Sequence, residues 1–385
     1  MLFDPSTERI LKNGPKRATF EGDGKKRRRD TSMKKLILLG FALGALEVCP
    51  AQEYKIAVVG LVHSHVWGHL ANILKSKDVK LVGVAEPNPA LVAEAEKAGV
   101  DKSLFSDNYV QMLDKTKPDI VWAFVENNRH LEIVKACAPR KINVIFEKPL
   151  ASTGADARAI RKIAAQTGIR IQTNYQMAWW PENYAAKKAA ETELGQVYRL
   201  HGIVGHGGPG PNGARSQYFF AWLTDPVKNG AGALMDFGCY NALWSLWYLG
   251  KPDTVYATAN HLRPEEFPKV EDNADLILGY KKAVGIFEAS WDLPRGFQDL
   301  EVFGRKGSVY MAQKSVTLQK GAKKETLELT PRPPEESEPV AFMASRIRQN
   351  KPIEGLTAID INVGVIEIID AAKQSIASGK AVKLP

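Results

Sequence analysis

A carboxylate, an ammonium group and a proline directly follow one apolar segment of the sequence. Val144-Ile145-Phe146 is succeeded by Glu147, Lys148 and Pro149. Proline disfavours helical geometry at the residue before it, so we expect Lys148 to be held extended at a strand end. If this strand belongs to a parallel sheet, ligands bind at its carboxyl end, and Glu147 there would orient Lys148 or stabilise its charge. The alternative is an ordinary salt bridge at the end of a strand.

A second carboxylate and a phenol are spaced one helical turn apart later in the chain. A helix that begins near Asp236 places Asp236 and Tyr240 on one face, with the carboxylate at the positive helix end. Free tyrosine has a pKa of about 10 and is a poor base at neutral pH. A nearby cation such as Lys148 would favour the phenolate. The alternative for Tyr240 is a core aromatic beside Leu243 and Trp244.

The first apolar run ends at Gly60, where nucleotide-binding folds place a G-x-G-x-x-G turn. Val62 and His65 stand where the second and third glycines are usual. Glu86 ends the next predicted strand, where an acid binds an adenine ribose 2′-OH and repels a 2′-phosphate. We therefore expect NAD, with NADP possible, bound through the free N–H groups of a helix N-terminus. The two missing glycines leave cofactor binding unsecured.

Three histidines fall in the same turn. His65 and His69 would share a helical face and could chelate a cation, but the sequence places no acid as a third ligand. We assign no metal. His63 and His65 are expected to cap the helix or face the core, or to contact a phosphate of the dinucleotide.

Short β-branched runs alternate with helix-like stretches from Tyr54 to Asn174. This alternation predicts βαβ units and a parallel sheet covered on both faces. Later strands show period-two alternation, which favours an open antiparallel sheet with one wet face. One helix from Asp236 to Leu249 interrupts them, and a helix from Ile361 to Ala377 closes the chain. The predicted fold is α/β: a Rossmann-like domain followed by an α+β domain with a large, mostly antiparallel, open-faced sheet.

The predicted boundaries are an extension and signal peptide over 1–51, a dinucleotide-binding domain over 52–180, and a substrate and oligomerisation domain over 181–385. The final helix can pack back on the first domain. Met33 begins a short basic and then apolar leader, with cleavage expected after Ala51. We expect export, to the periplasm, without stable membrane insertion after cleavage. The alternatives are a lipid anchor on Cys49 and a leader that is not used, which would leave the protein cytoplasmic.

The charge and cysteine content exclude several function classes. Residues 1–51 hold eleven Lys/Arg against six Asp/Glu, so the net charge of +9 is concentrated there. The remainder gives weak support for nucleic-acid binding, and we expect no nucleic-acid partner. Three cysteines, Cys49, Cys137 and Cys239, form no disulfide framework or zinc pattern. The latter two are predicted to be buried free thiols.

Taken in order, these segments resemble the Gfo/Idh/MocA family, the group of glucose–fructose oxidoreductase, inositol dehydrogenase and relatives. The resemblance covers residues 54–385 and rests on Asn127 with His130 after one strand, on Glu147-Lys148-Pro149, and on the segment GALMDFGCY over 232–240. It implies that Lys148 lies near the nicotinamide and the substrate hydroxyl. In the family, the peptide bond between this lysine and the following proline is often cis. It also implies cofactor contacts from Asn127, His130 and Glu147.

Two positions depart from the family pattern, since Glu126 replaces a usual proline and Ala178 a common arginine. Tyr240 stands where inositol-dehydrogenase-like members carry histidine, as in the branch that includes glucose–fructose oxidoreductase, dihydrodiol dehydrogenase and xylose dehydrogenase.

The resemblance implies an NAD(P)-dependent oxidoreductase that transfers a hydride between nicotinamide and a sugar, polyol or cyclic diol. Tyr240 would take the hydroxyl proton, Lys148 would polarise the oxygen, and Asp236 would orient the substrate or the lysine. The alternatives are a redox-neutral glycosidase or lyase that retains NAD, and a sugar-binding protein that has lost its cofactor. Family members pair through the open sheet, so a homodimer or homotetramer is expected.

Overall fold

The computed structural model describes residues 53–210, 216–312 and 314–384. The predicted extension and leader, with Cys49, lie outside the described residues. Within the described ranges, none of the helices combines the length and the apolar character that crossing a bilayer requires. Cys137 and Cys239 are both free and buried, as predicted.

The first half of the described chain forms a six-stranded parallel sheet in the order β3-β2-β1-β4-β5-β6. Its strands are β1 (Tyr54–Val59), β2 (Val79–Ala85), β3 (Phe105–Ser106), β4 (Ile120–Ala123), β5 (Asn143–Glu147) and β6 (Ile171–Asn174). The helices between them are α1 (Val66–Ile73), α2 (Pro89–Lys97), α3 (Tyr109–Thr116), α4 (His130–Cys137) and α5 (Gly154–Thr167). This is the predicted Rossmann-like arrangement, in which ligands bind beyond the carboxyl ends of the strands.

Burial and capping explain why these segments adopt their structures. Every residue of β4 and β5 is buried, as expected for central strands with helices on both faces. The Asn88 side chain caps α2 by accepting from the Ala90 N–H, and Thr153 caps α5 by accepting from the Asp156 N–H. Gly168 ends α5 with a φ of 75°, which favours glycine.

The second half forms a nine-stranded mixed sheet in the order β14-β13-β12-β11-β7-β10-β9-β8-β15. Its strands are β7 (Val197–Gly205), β8 (Thr254–Asn260), β9 (Asn273–Gly279), β10 (Val284–Ser290), β11 (Phe297–Gly304), β12 (Gly307–Ala312), β13 (Ser315–Lys320), β14 (Lys323–Thr326) and β15 (Val382–Lys383). The associated helices are α6 (Pro181–Glu193), α7 (Gln217–Leu223), α8 (Ala233–Asp236), α9 (Gly238–Leu249), α10 (Pro339–Arg348) and α11 (Ile359–Ser378). All neighbouring strands are antiparallel except β7 and β10, which confirms the mostly antiparallel prediction.

Three differences from the predicted helices bear on function. The helix expected to begin near Asp236 is interrupted at Phe237, because α8 ends at Asp236 and α9 begins at Gly238. The short helix α7 and the helix α10 were not predicted. The α7 segment QYFFAWL is short and rich in aromatics, a composition also typical of strands. The chain ends in β15 rather than in a helix.

The last two helices return to the first sheet. α11 contacts α5 and β6 as well as α9 and β8. The Asp370 carboxylate accepts a hydrogen bond from the Gly154 N–H at 2.7 Å. From α10, Val340, Met343 and Ala344 join the apolar cluster around β1 and β4. The two sheets therefore share buried contacts, and the carboxyl ends of β1 and β5 lie beside residues of the second half.

Candidate functional site

Lys148 lies directly beyond the end of β5, where the sequence placed it, and a cis peptide bond joins it to Pro149. Its ammonium group is buried and donates to the Asp236 backbone carbonyl at 3.0 Å and to Asp236 Oδ1. Lysine carries three N–H bonds, so a third donor remains for a substrate oxygen. The prediction that Glu147 orients Lys148 is wrong, because the described partner of Lys148 is Asp236. The strand-end salt bridge between the two neighbours is likewise not formed.

Both members of this ion pair remain charged. Burial lowers the pKa of Lys148, but the Asp236 carboxylate raises it by more, and the net shift is upward. Burial raises the pKa of Asp236, whereas Lys148 lowers it by more. At ordinary pH Lys148 is therefore protonated, and the Asp236 carboxylate compensates its positive charge.

Tyr240 lies next to this pair. Its ring centroid is 5.2 Å from Lys148 Nζ and 5.1 Å from the ring of Tyr175, which it meets edge-on. Burial raises the pKa of Tyr240, and the opposing effect of Lys148 is smaller, so the net shift is upward. Lys148 does act in the predicted direction, because its charge lowers the pKa of Tyr240, but burial raises that pKa by more. The residue is a neutral phenol, and its chemical capacity is to hold and donate a proton.

Trp291 completes the support of Asp236. Its indole N–H donates to Asp236 Oδ2 at 2.9 Å, and the side chain is fully buried. Sequence reasoning did not identify Trp291, which follows β10 about 55 residues after Asp236. The available signal was weak: a tryptophan directly after a strand whose residues alternate in burial.

Glu147 faces a different set of partners. Its Oε2 bonds His65 Nδ1 at 2.8 Å, and its Oε1 accepts from Asn174 Nδ2 at 2.7 Å. His69 Nε2 is 3.5 Å from Oε1. Burial raises the pKa of Glu147, but the hydrogen bond and the charge of His65, followed by His69, lower it by more. Glu147 is thus a buried carboxylate held by the turn that follows β1 and by the end of β6.

The turn after β1 can hold a dinucleotide despite its missing glycines. Gly60 has a φ of 78°, and a Cβ there would lie 2.5 Å from Val125 Cγ1, so glycine is required. Glu86 Oε2 accepts from the Leu61 N–H at 2.7 Å. The Val62 and Ser64 N–H groups donate to no atom of the described residues. Two free donors at the start of α1 suit an anionic pyrophosphate, so the residues present fit the cofactor.

Glu86 lies where the sequence predicted, at the end of β2. Besides Leu61, the Asn88 N–H also donates to it, at 2.8 Å. Burial raises the pKa of Glu86, and these two backbone N–H groups counteract part of the shift. The carboxylate is fixed beside the turn, where it can accept from a ribose hydroxyl.

The unpredicted helix α7 covers one side of the turn. Trp222 Nε1 donates to the Val62 carbonyl at 3.3 Å. The His63 ring lies 4.9 Å from Phe219 and 5.5 Å from Trp222, measured between ring centroids. His63 is buried by these contacts, and burial lowers its pKa well below the ordinary value. His63 therefore faces an aromatic surface, while His65 faces Glu147.

Asn127 and His130 differ in how accessible they are to a cofactor. Asn127 Nδ2 donates to Asn229 Oδ1 at 2.7 Å, while its buried Oδ1 has no partner among the described residues. That oxygen can accept from a ribose hydroxyl. His130 is fully buried, stacks on Phe146 at 4.3 Å, and its Nδ1 bonds the Leu150 carbonyl at 3.0 Å. Its place is behind β5, supporting the segment that carries Lys148, rather than against a cofactor.

A cavity of about 580 Å³ lies near the Lys148–Asp236 pair, although neither residue is among those that line it. Phe237 lines it, and the Phe237 ring lies 5.8 Å from Lys148 Nζ. His206 lines it as well, with its ring 5.0 Å from that of Phe237. Burial lowers the pKa of His206, and the nearby Asp236 opposes this shift. Further lining residues are Trp180, Glu182, Phe297, Gln298 and Lys314.

Comparison with known proteins agrees with this geometry. Residues 54–175 match the model of an oxidoreductase family with an NAD-binding Rossmann fold, and residues 183–310 match the Gfo/Idh/MocA C-terminal domain. The chain is 28% identical to D-xylose 1-dehydrogenase (NADP(+)) 2 of Haloferax volcanii over 52% of this chain and 58% of that protein. It is 25% identical to myo-inositol 2-dehydrogenase of Thermotoga maritima over 66% and 74% of the two chains. The chain thus spans little more than half of the xylose dehydrogenase's length.

Solved structures share the whole described fold. The aldose-aldose oxidoreductase from Caulobacter crescentus in complex with glycerol superposes with a TM-score of 0.74 at 20% identity, over 86% of this chain and all of that one. Levoglucosan dehydrogenase with NADH and levoglucosan gives 0.72 at 20% identity, over 87% and all of the two chains. With both halves matched in order, the chain belongs to the Gfo/Idh/MocA family of oxidoreductases, and its first sheet is the family's NAD-binding Rossmann domain.

Proposed function

We propose that this protein is an NAD-dependent dehydrogenase that oxidises a secondary alcohol of a sugar or polyol, or reduces the corresponding carbonyl. The observation that carries the proposal is the burial of Lys148, Asp236 and Tyr240 in one place. The three side chains come from β5 and from α8 and α9, on different halves of the chain. They meet near a cavity large enough for a monosaccharide.

In the proposed mechanism, bound NAD supplies the hydride acceptor or donor. Lys148 holds the reacting oxygen with the N–H that Asp236 does not use. Since the pKa of Lys148 is raised, it polarises that oxygen by hydrogen bonding and does not lose its proton. When a carbonyl is reduced, Tyr240 gives its proton to the oxygen and becomes a phenolate; in the reverse direction, that phenolate takes the hydroxyl proton of the alcohol. Asp236, held by Trp291, keeps Lys148 charged and in place.

The chemistry of the cavity supports a carbohydrate. Aromatic faces from Trp180, Phe237 and Phe297 can stack on the C–H side of a sugar ring. His206, Gln298 and Lys314 offer polar groups for hydroxyls. The relatives named above are dehydrogenases of xylose and myo-inositol. We therefore place the substrate among pyranoses, furanoses and cyclitols.

The test is turnover with a panel of aldoses, cyclitols and anhydrosugars, followed by the appearance of NADH. A substrate should be found for which kcat falls steeply in the Tyr240→Phe variant. If the wild-type protein binds NAD but oxidises no member of the panel, and reduces none of the matching keto compounds, the proposal fails. Because Glu86 would repel a 2′-phosphate, kcat/KM should be higher with NAD than with NADP.

The cover formed by α7 favours a second candidate, redox-neutral turnover with a retained cofactor. Phe219 and Trp222 shield the turn that would hold the pyrophosphate, so exchange of the dinucleotide would be slow. An enzyme of this kind oxidises and re-reduces the same sugar and leaves no net NADH. Native mass spectrometry of freshly purified protein distinguishes the two. Retained dinucleotide with substrate consumption but no NADH would favour the second candidate.

Self-association and export remain proposals. Tyr256 on β8, Ile277 on β9 and Tyr310 on β12 are large exposed side chains of the second sheet. Their exposure supports a homodimer or homotetramer formed through that sheet face. Light scattering on wild-type protein and on Ile277→Asp would test this, since the aspartate should weaken association. Sequencing the N-terminus of protein from the cell envelope would test export with cleavage after Ala51.

A further inference from the structure

The turn after β1 and the end of β5 bring together three groups with the chemistry of metal ligands. His63, His65 and Glu147 each offer one ligand atom, and these atoms lie within 4.8 Å of one another. The sequence supplied the histidines but could not supply the third ligand. Glu147 is more than 80 residues away along the chain, and only the parallel sheet brings it to the turn.

We propose that His63, His65 and Glu147 bind one divalent transition-metal ion of the zinc class, with a fourth position left for a small ligand. Two imidazoles and one carboxylate are a ligand set that suits zinc, and catalytic zinc sites also use three protein ligands. The proposed ligands belong to the turn that is assigned above to the dinucleotide, but the test of zinc binding does not require dehydrogenase activity.

Hydrogen bonds within the cluster already involve nitrogen and oxygen atoms of the kind that ligate a metal ion. His65 Nδ1 and Glu147 Oε2 share a proton at 2.8 Å. His63 Nδ1 accepts from the His65 backbone N–H at 3.2 Å and therefore carries a lone pair. A bound cation would take the place of the proton between His65 Nδ1 and Glu147 Oε2. It would also bind the lone pair of His63 Nδ1. Zinc binding would thus replace these hydrogen bonds by metal–ligand bonds within a cluster that already exists.

The distances require small movements. Tetrahedral zinc with bonds of about 2.1 Å places its ligand atoms about 3.4 Å apart. The His65–Glu147 pair, now at 2.8 Å, would open slightly, and the longest separation, within 4.8 Å, would shorten. We expect rotations of the two imidazoles to supply these shifts.

The surroundings match those of a metal site. The cluster is largely shielded from solvent, since His63 is buried and the Glu147 side chain is 2% exposed. Asn174 fixes the second oxygen of Glu147 at 2.7 Å, and Trp179 Nε1 in turn donates to Asn174 Oδ1 at 2.8 Å. Such outer hydrogen bonds orient ligating carboxylates. The His65 side chain is 27% exposed, which gives an ion a route to the cluster.

The experiment uses the full chain, stripped with chelator, freed of dinucleotide, and equilibrated with Zn²⁺ alone. Mass spectrometry of the metal content should give about one zinc per chain, the stoichiometry of a single three-ligand site. Co²⁺ in place of zinc should give the visible d–d absorption of a tetrahedral site. The spectrum needs only wild-type protein, so it remains decisive if a variant fails to fold.

The variants His65→Ala and Glu147→Gln should each weaken zinc binding at least tenfold, since even outer-shell changes cost about 10- to 100-fold. His201→Ala is the matched control, because His201 is exposed and pairs with Glu288 on the far sheet. Cys49→Ser removes a thiol outside the described residues and should also leave binding unchanged. Zinc content near zero in wild-type protein, or equal affinity in His65→Ala, Glu147→Gln and His201→Ala, would overturn the proposal. Both results are obtained without a sugar substrate, so neither bears on the dehydrogenase.

Discussion

Glu147 and Lys148 are adjacent in sequence, yet they serve two different clusters. Successive residues of an extended chain point to opposite sides, so the carboxylate turns to the imidazoles after β1 and the ammonium to Asp236. On the Lys148 side a full ion pair compensates the charge. On the Glu147 side an anion is held by an amide and by two imidazoles.

This difference indicates different tasks. The Lys148–Asp236 pair keeps one charge state over the working range of pH, which suits a fixed electrostatic clamp on a substrate oxygen. The cluster around Glu147 is the one for which we propose a bound metal ion. Each prediction below changes one of the two sides, or a residue influenced by it, and compares it with the other or with a matched control.

Replacing Lys148 with methionine should have the largest effect. The variant loses the clamp and leaves Asp236 buried without a counter-ion. We expect kcat to fall about 10³-fold and the free energy of unfolding to fall by about 3 kcal/mol. Steady-state kinetics and urea unfolding measure the two. Lys281→Met, at an exposed hairpin lysine, should change neither. A normal kcat in the Lys148→Met variant would contradict the catalytic role that we assign to the Lys148–Asp236 pair.

Tyr240→Phe should lower kcat about 10²-fold, because only the proton donor is lost. Its ring packing with Tyr175 is retained, so the free energy of unfolding should change little. The control is Tyr175→Phe, which deletes the hydroxyl of the neighbouring buried ring. If both variants lose the same activity, Tyr240 acts through packing and not through proton transfer.

Stability should also depend on pH through His130, which is not a member of the cluster around Glu147 but is influenced by the charge of Glu147. Burial lowers its pKa to about 4, whereas the unfolded chain binds a proton near the ordinary value of 6.5. Between these values only the unfolded state is protonated, so the free energy of unfolding falls as the pH drops from 6.5 towards 4. The shift corresponds to a loss of at most about 3 kcal/mol.

The His130→Gln variant should lose that part of the pH dependence, measured by urea unfolding at pH 7.5 and pH 5. His201→Gln, at an exposed histidine, should retain the wild-type slope. If the free energy of unfolding of His130→Gln depended on pH as in the wild-type protein, His130 would not be the source of the pH dependence.

Trp291→Phe should have the smallest effect on rate. It removes the donor to Asp236 Oδ2 and leaves the Lys148–Asp236 pair intact. We expect kcat to fall about tenfold and stability by about 2 kcal/mol, the usual range for a hydrogen bond to a charged group. Trp244→Phe is matched, because the Trp244 indole also donates to a buried side chain, Asn183, away from the site. A similar stability loss with normal kcat is expected there, and an equal rate loss would contradict a positioning role for Trp291.

Several site residues could be identified from local signals alone. Lys148 before a proline, Asp236 and Tyr240 at helical spacing, and Gly60 with Glu86 at strand ends were all found from the sequence. The roles of their partners were harder to infer. Trp291 and His206 carry no motif, and α7 resembles a strand in composition. The short helix α8 was not predicted, since the predicted helix began only near Asp236.

The sequence by itself determined the alternation of strands and helices, the parallel first sheet, the mostly antiparallel second sheet and the strand-end position of Lys148. These follow from periodicity and from the local restriction that proline imposes. Only the tertiary structure decided which charges pair. Lys148 pairs with Asp236, and Glu147 pairs with His65. Partners separated by more than 80 residues meet only when the chain has folded. It also decided that Tyr240 is a neutral phenol, since burial outweighs a neighbouring charge only in the folded interior.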